Sequence, residues 1–193
     1  MVVLITGASH TGKTLLAQRL LERYGWPYLS VDHLKMGLIR SGQTKLTPLD
    51  DEELTDYLWP ILREIVKTAV ENRQNLVVEG CYIPFRWRQD FDEKYLSSIR
   101  FLCLAMTETY IDACFDSIRA HASEIEARLD DSGLTAEWLK QENRAVIAGF
   151  RGQGEAVTLI AEDYEGTVAK QVEGFAREGA GWPCGGKHEA AND

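Results

Sequence analysis

Five short apolar stretches punctuate the chain, at residues 2–6, 27–31, 75–79, 99–105 and 156–161, with helical patterns between them. Runs that are apolar without alternation suit strands covered on both faces. The pattern therefore predicts an α/β fold, a five-stranded parallel sheet flanked by helices in a three-layer sandwich. Thr14 to Tyr24 reads as the first helix, with Leu16, Leu20 and Leu21 inward and Gly25 as its stop. Thr47-Pro48, followed by Asp50, Asp51, Glu52 and Glu53, marks a helix start, because acids in a first turn meet the positive end of the macrodipole. Leu54, Leu58, Ile61 and Ile65 form the apolar face of that helix, and Pro60 predicts a kink within it. Another helix runs from Ile111 through Phe115, Ile118, Ala122, Ile125 and Leu129 until Asp-Asp-Ser-Gly at 130–133 breaks it. Thr135 caps the next, which extends to about Phe150. From residue 177 the sequence is rich in glycine and aperiodic, which predicts a flexible tail behind one domain of residues 1–176.

Composition narrows the function classes. Hydrophobic content of 45% and charged content of 26% are ordinary for a soluble globular chain, and 193 residues suffice for one substantial core. No apolar run reaches the roughly 18 residues of a membrane span, and no signal-peptide pattern opens the chain. Cys81, Cys103, Cys114 and Cys184 form no metal-binding or redox spacing, so they read as neutral thiols of a cytoplasmic protein. A net charge of −9 argues against nucleic acid as a partner. Residues 1–48, however, carry six basic groups against two acids, which suits a small anion held locally. Nothing in the sequence calls for an obligate protein partner.

The anion is named by residues 7–14, Gly-Ala-Ser-His-Thr-Gly-Lys-Thr, directly after the first apolar run. This is the strand–GxxxxGK[ST]–helix phosphate loop. Gly7 and Gly12 allow backbone angles closed to other residues, so the amides of Ala8, Ser9, His10 and Thr11 can turn inward around a polyphosphate. The following helix adds its positive end. Lys13 would reach the β- and γ-phosphates of ATP, and the Thr14 hydroxyl would ligate Mg²⁺.

Glu-Arg-Tyr-Gly-Trp-Pro-Tyr-Leu-Ser-Val-Asp-His-Leu-Lys at 22–35, Ile-Arg-Ser-Gly-Gln at 39–43 and Val-Val-Glu-Gly-Cys-Tyr-Ile-Pro-Phe-Arg at 77–86 resemble the adenylate kinases. Arg-Leu-Asp-Asp at 128–131, with Arg144 beyond, is similar to that family's lid. The resemblance implies an adenylate kinase-like fold that uses ATP, with an acceptor-binding insertion at about 33–72 and a lid at about 119–151. It departs from the family where Thr14 follows Lys13 directly, as in gluconate and shikimate kinases, and where Lys35 stands in place of the arginine that grips AMP. By the same resemblance Glu79 holds Mg²⁺ through water, and Arg128 and Arg144 close over the transferred phosphoryl group.

Asp32 ends the second predicted strand, where it can take a hydroxyl proton, cap the helix beginning near His33, or do both. Lys35, Arg40, Arg86 and Arg88 follow strand ends, where open α/β sheets bind ligands, and Lys35 and Arg86 are the candidates to hold an anionic acceptor. Adenine is expected near Glu162-Asp163. The reading is therefore a kinase moving the γ-phosphate of ATP to a small, anionic, hydroxyl-bearing metabolite. A nucleoside monophosphate kinase is the alternative. A GTPase switch would need N-K-x-D and D-x-x-G motifs that the chain lacks.

Overall fold

A computed structural model describes residues 1–121 and 134–177. All five predicted strands form: β1 (Val2–Gly7), β2 (Tyr28–Ser30), β3 (Leu76–Glu79), β4 (Ile99–Met106) and β5 (Val157–Ile160). They pair in parallel in the order β2-β3-β1-β4-β5. β1 is central and buried throughout. Its side chains alternate between faces, so Val2 and Leu4 enter one apolar layer and Val3 and Ile5 the other.

One layer is closed by α1 (Lys13–Tyr24) with Leu16, Ala17 and Leu20, and by α7 (Tyr164–Arg177) with Val168 and Phe175. Gly25 ends α1 in a left-handed conformation, its N–H donating to the Leu21 carbonyl. On the other face α3 (Asp51–Glu71) contributes Leu54, Leu58, Leu62 and Val66. This corrects the expected face by a step, since Ile61 and Ile65 are half-buried. Each four-residue step overshoots a full turn by about 40°. The buried stripe therefore winds around the helix and leaves those isoleucines on its flank. In α1 Leu21 is likewise half-buried, and Ala17 takes its place in the core. Pro60 lies inside the continuous α3, where it removes one backbone donor. The helix begins at Asp51, after a turn in which the Thr47 N–H and hydroxyl both donate to Asp50 (2.6 and 2.9 Å).

Between these lie α2 (Val31–Arg40), a 3-10 turn at Trp87–Asp90, α4 (Glu93–Leu96), α5 (Glu108–Ala120) and α6 (Ala136–Gly152). Thr135 caps α6, its hydroxyl accepting from the Trp138 N–H at 3.1 Å. The expected lid at 119–151 thus includes most of α6, and α6 is fastened to the sheet. Asn143 is buried, accepts from the Met106 N–H at 2.6 Å where β4 ends, and donates to the Leu139 carbonyl at 2.8 Å. Phe150, near the far end of α6, is in the main core. Arg128, the end of the helix expected from Ile111, and residues 178–193 of the expected tail lie outside the described residues. No described helix is long and apolar enough to cross a membrane.

Asn143→Leu would leave the Met106 N–H buried and unpaired, a loss of about 1–3 kcal/mol. Chemical denaturation should show that decrease; an unchanged midpoint would mean Asn143 does not fasten α6.

Candidate active site

The sheet register brings Ser30, Glu79 and Ile5 to the same level at the carboxyl edge, two residues before Gly7. Gly7 has φ 139°, and a Cβ there would lie 2.0 Å from the Leu104 carbonyl oxygen of the neighbouring strand. Gly12 has φ 79°, and a Cβ there would lie 1.8 Å from the Tyr164 hydroxyl. His10 between them also has positive φ, at 63°. The loop is thus wound so tightly between β4 and α7 that only glycine fits its two ends; the Ala8 N–H, expected in the nest, instead donates to the Leu104 carbonyl at 3.1 Å, so the turn away from the sheet begins after Ala8. Gly12 caps α1 without a side-chain acceptor, leaving the first amides of the helix to a ligand.

Lys13 is buried, and its ammonium donates to the Ala8 carbonyl at 2.7 Å, as does the Thr11 hydroxyl at 2.7 Å. Burial alone would lower the Lys13 pKa, but negative charge at Cys81, Glu79 and Glu142 outweighs it and leaves the pKa raised. Burial also pushes the Cys81 thiol up. The lysine is held as a cation. The two residues expected to hold Mg²⁺ meet here: the Thr14 hydroxyl donates to the buried Glu79 carboxylate at 3.3 Å.

The loop opens into a cleft of about 1780 Å³. Single drug-sized ligands occupy roughly 300–1,000 Å³, so there is room for two. One arm is largely apolar, lined by Met106, Tyr110, Ile118, Leu134, Trp138 and Tyr164. The other is polar, with Asp32, Lys35, Arg40, Asp51, Glu52 and Asp56 in its walls.

Asp32 enters the polar arm, but as the second residue of α2 rather than as its cap, which is Ser30. Its carboxylate pairs with Lys35 at 2.5 Å. Lys35 also donates to the Tyr82 hydroxyl at 2.9 Å, and Tyr82 donates to Asp51 at 3.0 Å. The Lys35 ammonium lies 4.9 Å from the centre of the Tyr82 ring. Burial, then Asp51 and Asp32, push the Tyr82 phenol far above its ordinary pKa, so it stays a donor.

Several expected site residues lie elsewhere. Arg86 is exposed at the start of the 3-10 turn and does not line the cleft, whereas its neighbour Phe85 does, set edge-on against Phe150 at 4.8 Å. Arg88 forms a two-pronged pair with the buried Glu155. Arg144 points away from the loop, bound to Glu108 and Glu137 at 2.9 Å each. On a helix that fastens its opposite side to β4, Arg144 has acids of α5 and of its own first turn within reach instead of the phosphate nest. Asp163 accepts from the Gly166 N–H at 2.9 Å at the start of α7, so Tyr164 and Glu165 line the cleft instead of Glu162 and Asp163.

No protein-family model matches the chain. It is similar to adenylate kinase isoenzyme 1 of Gallus gallus, 22% identical over 184 residues, which is 89% of this chain and 91% of that protein. Among solved structures it resembles a gluconokinase from Sinorhizobium meliloti 1021 (TM-score 0.55, 18% identity, 92% of each chain). It also resembles shikimate kinase from Bacteroides thetaiotaomicron (TM-score 0.53, 15% identity, 91% of this chain and 98% of that one). The fold is that of the P-loop kinases. Within the P-loop kinase fold, three site residues escaped the sequence reading. Tyr82 could have been found, because it stands three residues past Glu79 at a strand end. Tyr164 and Glu142 carried no such signal, since each sits in an ordinary amphipathic helix.

Gly7→Ala should destabilise the protein by about 2 kcal/mol or more, from positive φ and collision with a backbone oxygen. A thermal melt equal to that of the parent would contradict the tight passage described for β1 and β4.

Proposed function

We propose that this chain is an ATP-dependent kinase that transfers the γ-phosphate to a hydroxyl of a small metabolite. The observation that carries the reading is one cleft, sized for two ligands, with a charged lysine and the uncapped start of α1 at its centre and a carboxylate in its polar arm. The nest and Lys13 would hold the phosphates, and the apolar arm, with Tyr164 and Trp138, suits the adenine base. Thr14 and Glu79 fit Mg²⁺, being a hydroxyl and a carboxylate 3.3 Å apart beside the nest. Among the described residues no group of three or more His, Cys, Asp or Glu could hold a metal ion, so phosphate and water oxygens would complete its shell. When bound, the ion neutralises charge on the phosphates.

Asp32 is the general base of this reading. Lys35 holds one carboxylate oxygen at 2.5 Å and so fixes the side chain's orientation toward the acceptor. As the acceptor oxygen bonds to the γ-phosphorus, Asp32 takes its proton, and the bond from that phosphorus to the bridging oxygen breaks to leave ADP. Lys13 neutralises charge on the transferred group.

The acceptor's charge is revised here. An anion was expected on the strength of Lys35 and Arg86, but Lys35 is engaged by Asp32 and Tyr82 and Arg86 is outside the cleft. The arm presents Asp32, Asp51, Glu52 and Asp56 against Lys35 and Arg40, so a neutral or cationic polyhydroxyl compound suits it better. The same balance weighs against a nucleoside monophosphate, which needs unengaged cations. We place the activity in the cytosol, where ATP is supplied.

A screen of hydroxylated acceptors with ATP and Mg²⁺, read as ADP release, tests the reading. Lys13→Ala should lose at least about 100-fold in rate while melting normally. Asp32→Asn should lower kcat by about 10²–10⁴. Full activity of Lys13→Ala would remove the kinase, and full activity of Asp32→Asn would favour transfer to a phosphate acceptor, which needs no base.

A further inference from the structure

Helix α6 delivers a carboxylate onto the phosphate loop itself. Glu142 accepts from the Ser9 N–H at 2.9 Å and from the Ser9 hydroxyl at 3.0 Å, both through Oε1. Its second oxygen, Oε2, is buried and has no hydrogen-bond partner. Glu142 also lines the cleft, and its charge bears on Lys13. The loop is therefore partly satisfied from within, with the Lys13 ammonium on the Ala8 carbonyl and the Ser9 donors on a carboxylate. A phosphate oxygen and a carboxylate oxygen cannot occupy the same amide, and two anions at contact repel strongly in a partly buried site.

The helix itself is not free to carry this group away. Asn143, the next residue, is fastened to the Met106 N–H, and Phe150 packs on Phe101 with ring centres 5.2 Å apart. The side chain alone can turn out. Turning out costs Glu142 the two Ser9 bonds but relieves the desolvation of its unsatisfied oxygen.

Resting on the nucleotide reading above, we propose that Glu142 is a specificity-setting residue of the phosphate site. Its carboxylate occupies the Ser9 donors and is displaced only by a ligand that also engages Lys13 and the amides of α1. A polyphosphate makes all of these contacts and wins the exchange. A lone small anion such as inorganic phosphate makes too few and is shut out. The nest is thereby closed to the abundant small anions that its geometry would otherwise accept.

Calorimetric titration of the full chain with MgATP, and separately with inorganic phosphate, tests this. Glu142→Gln keeps an acceptor for Ser9 but removes the charge; Glu142→Ala removes both. MgATP affinity should rise about tenfold in Glu142→Gln and further in Glu142→Ala, which should also acquire millimolar affinity for inorganic phosphate. Ser9→Ala removes one of the two bonds that hold the carboxylate and should shift MgATP affinity the same way, which keeps the test available if a Glu142 variant misfolds. MgATP binding that is unchanged or weaker in the folded variants overturns the role of Glu142 and leaves the kinase reading standing. Absence of MgATP binding to every form, the parent included, overturns both.

Discussion

The site depends on a backbone that leaves the sheet after Ala8, whose N–H still pairs with the Leu104 carbonyl of β4. Gly7 passes so close to the Leu104 carbonyl that no side chain fits, His10 takes a left-handed conformation, and Gly12 abuts the Tyr164 hydroxyl. Each is unfavourable or sterically exacting by itself. β4 and α7 hold them in place, and the result is a concave set of N–H groups at the positive end of α1. Lys13, Thr14 and Glu79 acquire their meaning from that concavity.

Charge around the loop follows from the need to keep a buried ammonium ionised. Burial works against Lys13, and Cys81 with carboxylates from β3 and α6 restores its charge. Elsewhere two basic groups of the first quarter of the chain are paired with acids, one far and one near in sequence: Arg19 with Glu165 at 2.5 Å, and Lys35 with Asp32. Neither is left to build an anion pocket for the acceptor. The two pairs fasten α1 to α7 and orient the carboxylate proposed as the base.

The strands, the capped helices and the phosphate loop were legible in sequence because each is written locally: continuous apolar runs, Thr135 ahead of α6, Gly25 behind α1, two glycines five residues apart. Glu79 was legible too, as a carboxylate closing an apolar strand. The misreadings concern side-chain direction. Arg86 and Phe85 are adjacent, and only the fold decides that Phe85 enters the cleft. Arg144 looked like a lid arginine, yet the helix that carries it is rotated by the Asn143 bond so that Glu142, two residues away, is the group facing the loop. Of the two roles open to Asp32 the cap falls away, because α2 begins two residues earlier than the apolar pattern suggests and Ser30 is its cap.

The account stands on the loop between β1 and α1 being a polyphosphate nest. A crystal structure of the chain with Mg²⁺ and a non-hydrolysable ATP analogue tests that directly. The β-phosphate should lie within hydrogen-bond distance of the loop amides and of the Lys13 ammonium, with Lys13 withdrawn from the Ala8 carbonyl. An analogue bound elsewhere, with Lys13 still on Ala8, would contradict the assignment.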